Sequence, residues 1–300
     1  MKTDLTIVTC YEAGTESLMW VWKSSIARHT KQESTPFNVV ILVKDDKDEG
    51  LLDVMKGCTF PYRIVKVESG ISPGNSSRIH GRMLDHFIPD NITTSLFMTM
   101  DTDCFPIADG WLEALIQKLE DGAKIVGILH PWSPPPDSVA KNTIEYRVRS
   151  QQCWNHTHVA CQMIRTSDFR ELGLKFNDGD DTGLLIPTRA TQKGWKIDGL
   201  KPSRCPISKN GIDPEFNRYV SVVYGDCVYH CGGYTRVKKG DNPVMNKDFG
   251  WAIEKTIEEN GADFLLQNEY AYLYKFDREE EVAKEKLQRC FGLKDKVLGL

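Results

Sequence analysis

Along the first half of the chain, short apolar runs alternate with stretches in which apolar and polar positions recur at helical spacing. Leu5-Thr6-Ile7-Val8-Thr9, Phe37 to Val43, Tyr62 to Val67, Leu96 to Met100 and Ile125 to Leu129 have the length and β-branched or aromatic content of strands. Between them, Glu16 to His29, Leu51 to Met55, Ser76 to Phe87 and Gly110 to Leu119 read as helices. Strands alternating with helices in this way predict an α/β fold with a mainly parallel central sheet flanked by helices.

The pattern changes after Leu129. His130-Pro131-Trp132-Ser133-Pro134-Pro135-Pro136 cannot continue a helix or a central strand. It reads as a long loop, either a boundary linker or a cleft wall whose Trp132 packs against a substrate. Further on the pattern is mixed, and Arg278 to Phe291 closes the chain as a charged amphipathic helix.

With 300 residues, 40% hydrophobic and 27% charged, the chain can bury a substantial core as one large domain or two small ones. No apolar run approaches the ~20 residues of a membrane span, and Met1-Lys2-Thr3-Asp4 leads directly into a strand-like segment. No signal peptide and no span are expected. Nine scattered cysteines without a disulfide framework fit reduced thiols and a cytoplasmic location. Three Asn-x-Ser/Thr acceptor patterns, at Asn75, Asn91 and Asn155, matter only in a secretory compartment. A net charge of −4 removes the global electrostatic case for nucleic acid and leaves only that of a local basic groove.

The chemistry concentrates where the run Leu96 to Met100 stops at Asp101-Thr102-Asp103. Residues just past the C-terminal end of a strand fall where open α/β sheets bind ligands. In extended chain, alternate residues point the same way, so Asp101 and Asp103 would present both carboxylates to one hard cation. The spacing recurs at Asp46-Lys47-Asp48 and Asp178-Gly179-Asp180, and the apolar strand is what sets Asp101 apart. The plainer alternative is a strand end whose aspartates cap the next helix. Neither Gly-x-Gly-x-x-Gly nor Gly-x-x-x-x-Gly-Lys-Ser/Thr occurs, so a diphosphate bound here needs a cation to take over much of its charge. Cys153-x-x-His156-x-His158-x-x-Cys161 and the group Cys227, His230 and Cys231 are competing zinc-ligand patterns, with core cysteines and histidines the simpler account.

Taken in order, several segments resemble the GT-A glycosyltransferases, especially the large inverting family of chitin and cellulose synthase-like domains. Leu5 to Ala13 is similar to that family's opening strand and nucleoside-contacting loop. Val39 to Asp46 is similar to its second strand, and Gly74 to Gly81 to the small-residue and arginine segment before its next helix. Met100-Asp101-Thr102-Asp103 resembles its metal-binding Asp-x-Asp. Phe169 to Gly173, then Asp180-Asp181-Thr182-Gly183-Leu184, Arg189 and Gly194 to Ile197, resemble its acidic pair followed by Leu, Arg and Gly. The family usually has Glu-Asp where this chain has Asp-Asp, so the base is Asp180 or Asp181, with Asp181 the better match. Tyr229 to Arg236 resembles the His-containing, glycine-rich segment that closes many such sites.

The resemblance implies a GT-A, Rossmann-like domain over residues 1–236, with residues 237–300 a small helical extension packed on it. It implies transfer of a sugar, with inversion, from a nucleoside diphosphate, UDP being the family default. Mn²⁺ or Mg²⁺ would be held by Asp101 and Asp103, and His230 would add a nitrogen ligand or bond a phosphate. Donor contacts fall to Thr9, Tyr11, Glu12, Asp45, Asp46, Arg78, Asp101 and Arg236, with Tyr11 stacking on the base. The acceptor stays open among a glycan precursor, a protein, a small molecule and a modified DNA base. Two alternatives are a sugar nucleotidyltransferase, whose glycine-rich basic first loop differs from Cys10-Tyr11-Glu12-Ala13-Gly14, and a non-catalytic nucleotide- or glycan-binding module.

Overall fold

The structure, a computed structural model, describes residues 4–44, 48, 50–67, 76–130, 156–178, 182–204 and 222–230. The proline-rich loop after His130 and the expected extension over residues 237–300 lie outside them.

Strands β1 (Leu5–Tyr11), β2 (Phe37–Lys44), β3 (Tyr62–Val67), β4 (Leu96–Met100), β6 (Ile125–His130), β7 (His156–Arg165) and β8 (Ile197–Leu200) form a seven-stranded sheet in the order β3-β2-β1-β4-β7-β6-β8. Within it β7 alone runs against the others, so the sheet is mainly parallel. Helices α1 (Glu16–His29), α2 (Leu51–Met55), α3 (Ser76–Asn91), α4 (Trp111–Glu120), α5 (Thr166–Leu172) and α6 (Leu185–Gln192) flank it.

The helices divide between two apolar layers. On one face α1 and α4 bury Trp22 and Trp111 against Leu5, Ile7, Met98 and Met100. On the other, α3 buries Leu84, Phe87 and Ile88 against Val8, Val40 and Phe97. A strand covered on both faces has no solvent side, which is why these strands read as continuous apolar runs rather than as alternation. Phe97, Phe169 and Phe176 cluster in the second layer, with Phe169 stacked on Phe176 at 5.3 Å and edge-on to Phe97 at 5.2 Å.

Helix α3 outlasts the expected end at Phe87 and passes through Pro89 to Asn91. Pro89 offers no amide to the Asp85 carbonyl four residues back, and the carbonyls of the last turn are taken up by side chains. The Asn91 side chain donates to the Phe87 carbonyl at 3.0 Å, and Arg170 donates to those of Pro89 and Ile92.

A second sheet was not foreseen. Strands β5 (Cys104–Pro106), β9 (Pro202–Arg204), β10 (Val222–Tyr224) and β11 (Val228–His230) pair antiparallel in the order β5-β11-β10-β9. Each is three residues long, too short for a periodicity to show in sequence. Ser25 of α1 donates to the Pro106 carbonyl and ties the small sheet to the first layer.

The strand β7 is irregular where it passes β6, with the register shifting between Gly127 and Leu129. A Cβ at Gly127 would run into the Cys161 carbonyl oxygen. Glycine is thus what lets β6 and β7 approach here. Among the described residues no helix is long and apolar enough to cross a membrane.

Candidate active site at the switch point of the sheet

The strand order reverses beside β1. From β1 the chain steps through α1 to β2 on one side, and from β3 it returns through α3 to β4 on the other. Right-handed crossovers in opposite directions put α1 and α3 on opposite faces, so the connections after β1 and before α3 part and leave a crevice over the C-terminal ends of β1 and β4. Asp101 lies at that point.

Asp101 and Asp103 are not in extended chain. The Asp101 amide donates to the Ala160 carbonyl of β7 at 2.9 Å, and the Cys104 amide donates back to the Asp101 carbonyl at 3.0 Å, closing a four-residue turn. This corrects both readings of the motif from sequence. The carboxylates are set by a turn rather than by strand alternation, and they do not cap a helix, because β5 follows and α4 begins only at Trp111.

The turn gives the two aspartates different surroundings. Asp101 faces His80 of α3, with Nε2 and Oδ1 3.4 Å apart. Asp103 is 6% exposed and faces His230 Nε2 at 3.8 Å, beyond hydrogen-bond range. His230 is brought there by the small sheet, where it pairs with Cys104. Burial and the neighbouring His158, whose ring lies 5.2 Å away, hold the His230 imidazole well below its ordinary pKa and so neutral. His158 is fixed in turn by accepting the Ala160 amide at Nδ1, 3.2 Å.

The mouth of the crevice is acidic. Burial, then Asp101 and Glu12, push the Cys10 thiol well above its usual range, and Asp103 and Asp101 add to the burial and the Cys161 contact that raise Cys104. Carboxylates gathered in this way attract a cation before an anion.

Helix α3 also reaches the segment before the second acidic pair. Asp85 accepts the Phe176 amide at 2.5 Å and the Asn177 amide at 3.0 Å through its two carboxylate oxygens. Gly81, one turn earlier on the same face, lies against that backbone. The Gly183 amide then donates to the Phe176 carbonyl at 2.7 Å, so the chain on both sides of the pair is tied to one residue. Asp180 and Asp181 themselves, like Asp45, Asp46 and Arg236, lie outside the described residues.

Of the remaining expected donor contacts, Thr9 and Tyr11 are 1% and 3% exposed. Tyr11 continues the inward alternation of Leu5 and Ile7, and its hydroxyl donates to Glu16 at 2.8 Å. Its ring is core, which corrects the expectation of a stacking platform. Glu12 is half-buried at the start of a tight turn in which Thr15 donates to its carbonyl through both amide and hydroxyl. Arg78 is exposed in the first turn of α3.

The zinc pattern on β7 is split. Cys161 is buried in the first core layer and His158 turns to His230, while Cys153 and Cys231 are outside the described residues. Among the described residues, no three His, Cys, Asp or Glu side chains gather as a complete metal site.

His80 and Asp85 did not stand out in sequence as site residues. Their spacing with Gly81 on one helix, just before an acidic strand end, was the available signal.

The fold and this crevice define an α/β protein of Rossmann-like layout with an acidic, turn-borne site at the switch point of its sheet. No protein-family model matches the chain and no curated protein is similar to it. Among solved structures it is similar to a 4-diphosphocytidyl-2C-methyl-D-erythritol synthase from Anaerococcus prevotii, with 13% identity and a TM-score of 0.41 over 67% of this chain and 89% of that one. Overlap of that size carries no argument about chemistry.

Proposed function

We propose that the chain is a metal-dependent glycosyltransferase of GT-A type that takes its sugar from a nucleoside diphosphate, with UDP the first donor to test. The observation that carries this reading is the Asp101 to Cys104 turn at the switch point, with the neutral His230 facing Asp103 at 3.8 Å. A buried carboxylate and a neutral imidazole suit Mn²⁺, and the carboxylates alone suit Mg²⁺. An open set of this kind fits an ion that completes its shell with substrate phosphates. Asp103 and His230, with Asp101 beside them, would hold the ion, which supplies Lewis-acid neutralisation of the leaving diphosphate.

The chain's own residues do the rest. His80 faces and orients Asp101. Arg78, exposed at the start of α3, offers positive charge to the donor. Asp181 takes the proton of the acceptor hydroxyl as that oxygen attacks the anomeric carbon opposite the diphosphate, so one displacement inverts the centre. Asp180 is the alternative base. The acceptor is a glycan, a protein, a small molecule or a modified DNA base.

The test is thermal stability against UDP, GDP, CDP, ADP and TDP, each with Mn²⁺ and with EDTA, followed by nucleotide release from the matching sugar nucleotides. A ligand at a hundredfold its dissociation constant stabilises the fold by about 2.7 kcal/mol. One nucleotide is expected to raise the midpoint with Mn²⁺ only, and Asp103→Ala is expected to abolish that rise. Asp181→Asn keeps the rise and loses transfer. A rise that survives both EDTA and Asp103→Ala refutes the metal site, and release of pyrophosphate instead of nucleoside diphosphate points to a nucleotidyltransferase.

A further inference from the structure

The irregularity of β7 has a definite shape. Gly127 pairs with Gln162 and Leu129 with Thr157, so four residues of β7, His158 to Cys161, stand where β6 has Ile128 alone. A bulge of that size gives up ladder bonds, and here side chains replace them. Gln162, 2% exposed, reaches back across the bulge and donates to the Thr157 hydroxyl at 2.9 Å and to the Thr157 carbonyl at 3.3 Å. From β4, the Thr99 hydroxyl donates to the Val159 carbonyl at 2.6 Å. The bulge is thus closed on itself and pinned to the strand that carries the acidic turn.

His158 is the residue this bulge sets against the site. Its Nδ1 accepts the Ala160 amide at 3.2 Å, which puts the proton of the neutral ring on Nε2. In that state neither ring nitrogen offers a lone pair to a cation. The ring lies instead against His230, with centroids 5.2 Å apart and planes 39° apart, and His230 Nε2 faces Asp103 at 3.8 Å. Ala160 holds His158 by its amide and Asp101 by its carbonyl, so the two sides of the turn share one support.

We propose that His158 is a positioning residue for the metal site: the β7 bulge presents its ring as a wall that fixes His230 opposite Asp103, and through that imidazole it sets a preference for Mn²⁺ over Mg²⁺. This rests on the metal-dependent reading above. His230 stands on a strand of only three residues, so its ring needs support from outside its own element. A nitrogen ligand held in place favours Mn²⁺, whereas Mg²⁺ is served by oxygen ligands and is indifferent to where the imidazole points.

The test is Mn²⁺ binding to the full chain, read from the EPR signal of the free ion, with Mg²⁺ as competitor. Wild type, His158→Asn, His230→Ala and the double variant are compared. Asparagine keeps an acceptor for the Ala160 amide, sparing the tie to Asp101, but takes the ring away from His230. His158→Asn is expected to weaken Mn²⁺ binding about tenfold or more, the scale of loss when the partner of a ligand is removed, with Mg²⁺ within about twofold of wild type. His230→Ala is expected to do the same. Adding His158→Asn to His230→Ala should change Mn²⁺ affinity by less than about twofold, because a residue that acts through His230 then has nothing to act on. A second measurement needs no variant: imidazole ¹⁵N NMR of the wild type, with Zn²⁺ as a diamagnetic probe, should show a ligation shift at His230 while His158 keeps its Nε2 proton.

An equal loss for the two ions, a loss in the double variant that is the sum of the single ones, or a ligation shift at His158 overturns the proposal. A wild type that binds neither ion sinks the metal-dependent reading itself, and the role of His158 with it.

Discussion

Gly127→Ala should be among the most damaging small substitutions in the sheet, and the structure gives the reason. Gly127 sits in β6 where β7 bulges against it, paired on its other side with Gly199 of β8. An added Cβ collides with the Cys161 carbonyl oxygen and lies 3.0 Å from Gln162 Cα and 3.1 Å from the Cys161 carbonyl carbon, all backbone atoms of the neighbouring strand. Carbon atoms in ordinary contact sit about 3.5 Å apart or more, so β7 must retreat by at least about 0.5 Å at Gln162. No side-chain rotation relieves this, because no side chain is involved. Residue 160, next to the collision, supplies the carbonyl that accepts the Asp101 amide at 2.9 Å, so the retreat pulls on the acidic turn as well.

Overpacking costs typically about 1–3 kcal/mol, and a collision with backbone puts this one at about 3 kcal/mol. At about 2–4 °C per kcal/mol, the thermal midpoint should fall by roughly 10 °C. The control is Gly122→Ala, where φ is +94° and a Cβ meets nothing within 4 Å, so only backbone strain of about 1–2 kcal/mol is felt. Urea unfolding of both variants measures the difference. If Gly127→Ala loses no more stability than Gly122→Ala, the close approach of β6 and β7 is not what the glycine serves.

Two further expectations concern titration. Burial, with Cys161 and Asp226 adding to it, pushes the Cys227 thiol up to about 12, so at pH 8 only about one molecule in ten thousand carries the thiolate. Iodoacetamide should leave Cys227 unmodified in the folded protein and modify it in urea, read by peptide mass spectrometry; labelling at the rate of a free thiol in the native state contradicts the burial argument. Asp85, raised above 3.8 chiefly by burial, holds a proton in the folded state that the unfolded chain has already released, so its contribution to stability falls as pH rises from 3.8 through the raised value. Asp85→Asn removes that titration, and its stability relative to the parent should improve between about pH 3 and pH 7. Urea midpoints at the two pH values test the sign, and a gap that is constant or moves the other way counts against it.

Much of the fold was legible because its signals are local. Glu16 to His29, Leu51 to Met55 and Tyr62 to Val67 have the same bounds in sequence and structure, since a β-branched strand run and an amphipathic helix each leave a pattern within their own length, even at the exposed edge where β3 lies. The parallel sheet followed from the alternation of those patterns. The acidic strand end at Asp101 was legible for the same reason, as a polar stop to an apolar run.

Whatever depends on residues far apart in the chain was decided only by the tertiary structure. That Asp101 and Asp103 stand in a turn follows from the pairing of β4 with β7 and of β5 with β11, and no residue near the motif announces either partner. Tyr11 reads as an exposed loop aromatic until the strand is seen to run through it into the core. His80 and Asp85 look like ordinary helix residues until α3 is laid against Asp101 on one side and Phe176 on the other. The elements are legible because the spacing of apolar positions that marks each of them lies within its own length. The site is assembled by contacts between residues as far as 91 and 92 positions apart, and those exist only once the layers have packed.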